Sequence, residues 1–290
     1  GCWAIGGGYT WGEQDAELSI STVQKALDLG ITTFDTAEFY GDGRSEELLG
    51  KALEGRRDKA VVITKLWSEN MKKDNTILAC EQSLERLKTD YIYLYLIHWP
   101  NRNVALNETL QAMEKLKKDG KIRALGVCNF GPRDLKEALS ISDIIVNQLA
   151  YSLLFRAIEY EIVDACVKSN TGILAYSNLA QGLLTGKFTN ADEVNDERAR
   201  TRFFSKDRPG TVHDELGYET EVFESIGKIR SICREINEEM AAVTVAWVLH
   251  QKGIAGALVG ARKPQQVEEN VKAAKLQLSE EVLEKLNHAT

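Results

Sequence analysis

Residues 31–40 read Ile-Thr-Thr-Phe-Asp-Thr-Ala-Glu-Phe-Tyr, and the rest of the chain is organised around them. Ile31, Thr32, Thr33 and Phe34 are β-branched or aromatic, which favours an extended, buried strand. Asp35 ends that strand, and Tyr40 follows after a Thr-Ala-Glu-Phe connection. Gly41, Asp42 and Gly43 then break the chain, and Ser45-Glu46-Glu47-Leu48-Leu49 has the form of a capped helix start. A carboxylate at a strand end with a phenol in the loop beyond it suits the rim of a parallel α/β protein, where sites are built.

The same alternation extends in both directions. Residues 1–5 read as a short strand running into Gly6-Gly7-Gly8. Leu18, Val23, Ala26 and Leu27 fall on one face of a helix over 15–29 that Gly30 ends. Further strands are predicted at 60–65, 91–98, 122–129, 144–148, 171–177 and 255–260. Helices are predicted at 45–53, 74–87, 107–118, from Pro132 onward, 157–168 and 264–274. Eight strands, each followed by a helix at crossover spacing, describe a (β/α)8 TIM barrel, with residues 1–290 as a single domain. A doubly wound open sheet competes, but no Gly-x-Gly-x-x-Gly turn joins a strand to a helix. Between Ser177 and about Glu219 the alternation stops, and residues 190–208 are strongly charged. A long polar insertion after the seventh strand is expected on the active-site rim, as a flap over a cofactor.

Composition narrows the partners. With 290 residues, 43% of them hydrophobic, the chain can bury a sizeable core. A net charge of −7 argues against a nucleic-acid or membrane-surface partner, since both require clustered cations. Five scattered cysteines without metal or disulfide spacing point to a reducing, cytoplasmic compartment. The longest apolar run, 91–97, is too short to span a bilayer.

Three groups capable of proton chemistry end successive strands: Asp35, Lys65 and His98. Tyr40 lies beside the first, and a parallel barrel brings all four to one rim. Such a group suits reduction of a carbonyl, where hydride attack builds charge on oxygen and a placed acid supplies a proton. Tyrosine ordinarily ionises near ~10, so Tyr40 requires help; Lys65 beside the phenol is expected to lower that value. Asp35 is expected to keep Lys65 charged, and His98 to orient the carbonyl oxygen through a neutral ring nitrogen. Trp3, Trp67 and Trp99 offer apolar walls for a small-molecule carbonyl substrate.

The chain resembles the aldo-keto reductase superfamily over essentially its whole length. The resemblance is carried by Phe34-Asp35-Thr36-Ala37-Glu38-Phe39-Tyr40-Gly41, Thr64-Lys65-Leu66-Trp67, Leu94-Tyr95-Leu96-Ile97-His98-Trp99-Pro100, Gly126-Val127-Cys128-Asn129-Phe130-Gly131, Gly260-Ala261-Arg262 and Val267-Glu268-Glu269-Asn270. It implies NADPH-dependent reduction of an aldehyde or ketone, sugar-type or small, with Asp35, Tyr40, Lys65 and His98 as the catalytic tetrad. It further implies that Asn129 and Gln148 hold the nicotinamide carboxamide, while Tyr176 stacks on its ring. Ser177, Leu179 and Gln181 fall at the pyrophosphate. Gly260, Arg262, Gln266, Glu269 and Asn270 fall at the adenosine end, where Arg262, with Lys263 beside it, meets the 2′-phosphate.

The chain departs from the family at Cys128, commonly Ser, and at Gly260 and Gln266, where other branches carry Lys and Arg. Family members usually carry residues before the first strand; Gly1 is not an initiator Met, so trimming of a preceding segment is expected. The chain is expected to be a monomer or weak homo-oligomer. Two other functions use the same residues: a non-catalytic NADPH-binding subunit that reports redox state, and a Schiff-base lyase acting through Lys65. The intact tetrad argues against the first, and the carboxylate at Asp35, which would keep Lys65 charged, against the second.

Overall fold

The computed structural model describes residues 1–8 and 11–290. Its sheet runs in chain order, β1 (Thr33–Asp35), β2 (Val61–Leu66), β3 (Ile92–Ile97), β4 (Ile122–Cys128), β5 (Ile144–Ala150), β6 (Gly172–Tyr176) and β7 (Ile254–Ala257). Every neighbouring pair is parallel, so each connection must cross over and return. Helix α1 (Ala16–Asp28) precedes β1, and the crossovers from β1 to β6 are supplied by α2 (Arg44–Ala52), α3 (Lys73–Arg86), α4 (Leu106–Lys118), α5 (Pro132–Leu139) and α6 (Ile162–Lys168). Two helices, α7 (Glu219–Glu235) and α8 (Met240–Leu249), lie between β6 and β7, and α9 (Pro264–Lys275) and α10 (Glu280–His288) follow β7.

The sheet has seven strands, not the eight that the alternation predicts. Residues 1–5 do not form the first of them. Trp3 already has helical backbone angles, and Ala4–Gly6 is a 3-10 turn. Only the first two residues reach the seam between β1 and the segment after β7. There the Cys2 N–H donates to the Asp35 carbonyl at 2.7 Å, and the Gly1 amino group donates to that of Val259 at 3.0 Å. Two residues are too few for a strand, and the glycine run beyond them turns the chain away. The polar insertion therefore follows the sixth strand rather than the seventh.

Local chemistry explains the element ends. The Asp15 carboxylate accepts the Leu18 N–H at 2.7 Å and caps α1, and Gly30, at φ +88°, releases the chain after it. Ser279 caps α10 through the Val282 N–H. Inside the curl of the sheet, Ile63, Leu94, Leu96 and Val146 pack with Ala124 and Leu174. The larger core lies between the sheet and its helices. The interior is tight: a Cβ on Gly126 would meet Leu96 Cδ2 at 2.5 Å and the Val146 carbonyl oxygen at 2.9 Å. No helix among the described residues is long and apolar enough to cross a membrane.

Candidate active site

Strand side chains alternate, so a residue two positions beyond an interior one points to the same face. Ile63 is followed on that face by Lys65, Leu96 by His98, Gly126 by Cys128, Val146 by Gln148 and Leu174 by Tyr176. The apolar interior thus gives way to polar groups at the carboxyl ends of the strands. The switch from Ile, Leu and Val to Lys, His, Gln and Tyr is what turns a packed core into a site.

Lys65 is fully buried. Its ammonium donates to Asp35 Oδ2 at 2.8 Å, the Thr36 carbonyl at 2.7 Å and the Tyr40 hydroxyl at 3.1 Å. Burial alone would discharge the amine, but Asp35 and Tyr40 outweigh it and hold Lys65 charged beyond the ordinary lysine range. Asp35 accepts a second hydrogen bond on Oδ1, from Gln148 Nε2 at 2.7 Å. Burial pushes Tyr40 up to about 12, and Lys65 only partly offsets this. The expectation that Lys65 brings the phenol below its ordinary value is therefore corrected: the lysine acts in that direction, but loss of water is the larger effect. His98 is pushed down to about 3 by burial and by the charge of Lys65, so its ring is neutral. Its Nδ1 is buried without a partner among the described residues.

A cleft of about 520 Å³ opens above these groups. Trp3, Trp67 and Trp99 border it, together with Trp11 and Phe39. Trp3 stacks on Tyr40 with ring centroids 5.8 Å apart and meets Trp11 edge-on at 5.4 Å; Phe39 stacks on Trp67 at 4.1 Å. Glu38 fixes that last pair. Its carboxylate accepts the Trp67 N–H at 2.5 Å and the Asn70 amide, pinning the loop after β2 to the loop after β1.

Along the rest of the cleft, Tyr176 donates its hydroxyl to Asn129 Oδ1 at 2.8 Å, and Asn129 Nδ2 donates to the His98 carbonyl at 3.1 Å. Cys128 Sγ lies 3.2 Å from Asn129 Nδ2 and 3.8 Å from Gln148 Oε1, so a thiol occupies the middle of this polar chain. Just past β6 the backbone is left-handed at Ser177 (φ 57°), Ala180 (φ 46°), Gln181 (φ 55°) and Gly182 (φ 103°). Two cations converge on that turn: a Cβ on Gly182 would lie 3.6 Å from Arg198 Nη1 and 3.9 Å from Lys187 Nζ. Neither is in an ion pair among the described residues, and burial together with Arg198 depresses the Lys187 amine. Concentrated positive charge beside strained backbone fits an anionic group such as a diphosphate.

Beyond the turn, Gly260, Arg262 and Gln266 border the same cleft, whereas Glu269 and Asn270, further along α9, do not. Lys65 sits below the floor of the cleft, which Asp35, Tyr40, His98, Asn129, Gln148, Tyr176, Ser177, Leu179 and Gln181 line. Trp11, Phe39, Lys187 and Arg198 were not picked out from the sequence. Trp11 sits in a glycine-rich loop and Arg198 in a charged insertion, both of which read as surface. The one signal for Lys187 is the pair Gly182 and Gly186 just past a strand's carboxyl end.

A curled parallel sheet that sets a buried Lys–Asp pair, a phenol and a neutral imidazole at its carboxyl rim has the groups that proton transfer to a carbonyl oxygen calls for. Comparison with known proteins places it more closely. The sequence pattern described as the Aldo/keto reductase family matches residues 1–290, and the chain belongs to that family. Aldo-keto reductase YhdN of Bacillus subtilis (strain 168) is 36% identical over 281 residues, covering 92% of this chain and 82% of the relative. The NADH-specific methylglyoxal reductase of Escherichia coli (strain K12) is 32% identical over 303 residues, covering 97% and 90%. The crystal structure of an aldo/keto reductase from Klebsiella pneumoniae in complex with NADP and acetate superposes with a TM-score of 0.76 at 31% identity, covering 94% of this chain and 85% of that one.

Proposed function

We propose that the chain is a single-domain NADPH-dependent reductase of small uncharged aldehydes or ketones. The observation that carries this reading is the buried run Asp35–Lys65–Tyr40 opening into an aromatic cleft that ends in cations. A reduced nicotinamide, held in the cleft, would supply the hydride for such a reduction. As charge develops on the carbonyl oxygen, Tyr40 gives that oxygen its proton, and the alkoxide is a stronger base than the phenolate left behind. Lys65, 3.1 Å from the phenolic oxygen, stabilises that phenolate, and Asp35 keeps Lys65 charged and in place. Neutral His98 donates a hydrogen bond to the same oxygen and orients it.

Asn129 and Gln148 would hold the carboxamide, and Tyr176 the ring face. Ser177, Leu179 and Gln181, now joined by Lys187 and Arg198, would hold the diphosphate. Gly260, Arg262 and Gln266 would hold the adenosine end, with Glu269 and Asn270 beyond the border of the cleft as it stands. Trp3, Trp67 and Trp99, with Trp11 and Phe39, form the substrate walls. The methylglyoxal reductase among the relatives supports a small aldehyde, and the Klebsiella complex supports NADP, although the former is NADH-specific. A Schiff-base role for Lys65 is disfavoured, since its three acceptors keep it protonated.

The test is a tryptophan-fluorescence titration with NADPH and with NADH, followed by an aldehyde panel that includes methylglyoxal. Tighter NADPH binding and aldehyde-dependent consumption of NADPH are expected. Tyr40→Phe should keep coenzyme affinity and lose turnover by about 10²–10⁴-fold, because only the proton donor is removed. Binding of neither coenzyme, or full activity in Tyr40→Phe, would overturn the reading.

A further inference from the structure

Arg262 is held by neutral groups. Its Nε donates to Gln14 Oε1 at 2.7 Å and its Nη2 to the Glu13 carbonyl at 2.6 Å. Gln14 Nε2 donates back to the Arg262 carbonyl at 3.0 Å, so one amide side chain grips both the guanidinium and the backbone of the same residue. The grip spans 248 positions and joins the loop before α1 to the loop after β7. Gln14 is itself anchored: its carbonyl accepts from Arg44 at 3.3 Å, and the next residue, Asp15, caps α1. On the other side, the Arg262 N–H donates to Gln266 Oε1 at 2.7 Å, which ties the arginine to the first turn of α9.

The nature of the partner matters. An Asp or Glu in place of Gln14 would orient the guanidinium equally well but cancel its charge. Gln14 and a backbone carbonyl orient it and leave the charge intact, while among the described residues the hydrogens on Nη1 and the second hydrogen of Nη2 have no partner and can meet an incoming oxyanion. An arginine otherwise carries large rotamer freedom that a ligand must quench, and here much of it is already quenched.

From this we infer that Gln14 is a specificity-determining residue: it presents Arg262 to a phosphate on the coenzyme's adenosine ribose, and so sets the preference for NADPH over NADH. The inference rests on the coenzyme reading above. Gln14 touches Arg262 rather than the reacting atoms, so it is a positioning residue.

The experiment is the dissociation constant of NADPH and of NADH, by fluorescence titration at low and moderate salt, for the wild type, Arg262→Ala, Gln14→Ala and Gln14→Glu. Gln14→Ala should weaken NADPH about tenfold and leave NADH within about twofold. Gln14→Glu should weaken NADPH at least as much, since it keeps the acceptor but neutralises the arginine. The NADPH advantage of the wild type should shrink as salt rises. Equal losses for both coenzymes in Gln14→Ala would show that Gln14 only shapes the loop, and an unchanged ratio would show that orientation is dispensable; either overturns the inference. If Arg262→Ala lowers the ratio and Gln14→Ala does not, the role of Gln14 alone fails. If Arg262→Ala leaves the ratio unchanged, the phosphate reading fails and this inference with it.

Discussion

Lys65 carries a full charge where water cannot reach it, and its three N–H groups meet three acceptors from three different residues. Breaking a buried pair from one side leaves the other charge stranded. Lys65→Met should therefore abolish turnover and also cost about 3 kcal/mol of stability in urea unfolding, through the exposed need of Asp35. Adding Asp35→Asn to Lys65→Met should restore part of that stability and none of the activity. His98 gives a pH signature. Its folded pKa lies below its unfolded value, at about 3 against 6.5, so the unfolded chain binds the extra proton and stability falls as pH drops through that window. The loss attributable to His98 should reach about 2 kcal/mol at pH 5. His98→Gln should show a shallower decline below pH 6.5 in acid titrations of thermal stability. At this scale the meeting of Asp35, Lys65 and His98 beside Tyr40 was legible because chemically active side chains stood at strand ends, where apolar ones would otherwise continue the pattern. The direction of the Tyr40 shift was not, because a sequence names the neighbouring cation but not how completely water is excluded. Gln14 was illegible for a related reason: its partner, Arg262, lies 248 positions away in the chain.

Strand alternation placed most of the elements, since β2 to β6 and their helices follow periods that burial enforces. The misses have physical causes. Helix α8 is apolar on nearly every side, so it has no face to detect, and its buried residues run almost unbroken from Val243 to Val248. The expected first strand failed because backbone propensity over five residues could not overcome the turn set by Trp3 and the glycines after it. Gly126 tests how strictly the alternation is enforced. It sits in β4 opposite Leu96 and Val146, and a methyl group there has nowhere to go. Gly126→Ala should cost roughly 1–3 kcal/mol, read as a lower urea midpoint with unchanged slope. A neutral result would mean that β4 shifts within the sheet more easily than its packing implies.

For the molecule as a whole, a net charge of −7 coexists with a cleft bordered by Lys187, Arg198 and Arg262. Positive charge gathered in a cleft of a negative protein focuses its field there, where the proposed anionic coenzyme would arrive. The association rate of NADPH should therefore fall with ionic strength, measured by stopped-flow fluorescence, and Lys187→Met should flatten that dependence. Away from the cleft, α10 is tied to the rest of the fold: Asn287 accepts from Trp247 at 2.9 Å through its side chain and from Arg156 at 2.9 Å through its carbonyl. The left-handed turn after β6 sets two selective pressures against each other. Gln181 holds a conformation that favours glycine, at a cost of about 1 kcal/mol that Gln181→Gly would recover. On the proposed role of Gln181 at the coenzyme diphosphate, a library of variants screened for heat resistance alone will enrich glycine there, while one screened for coenzyme capture will keep the strained residue, so the two screens will diverge at this position.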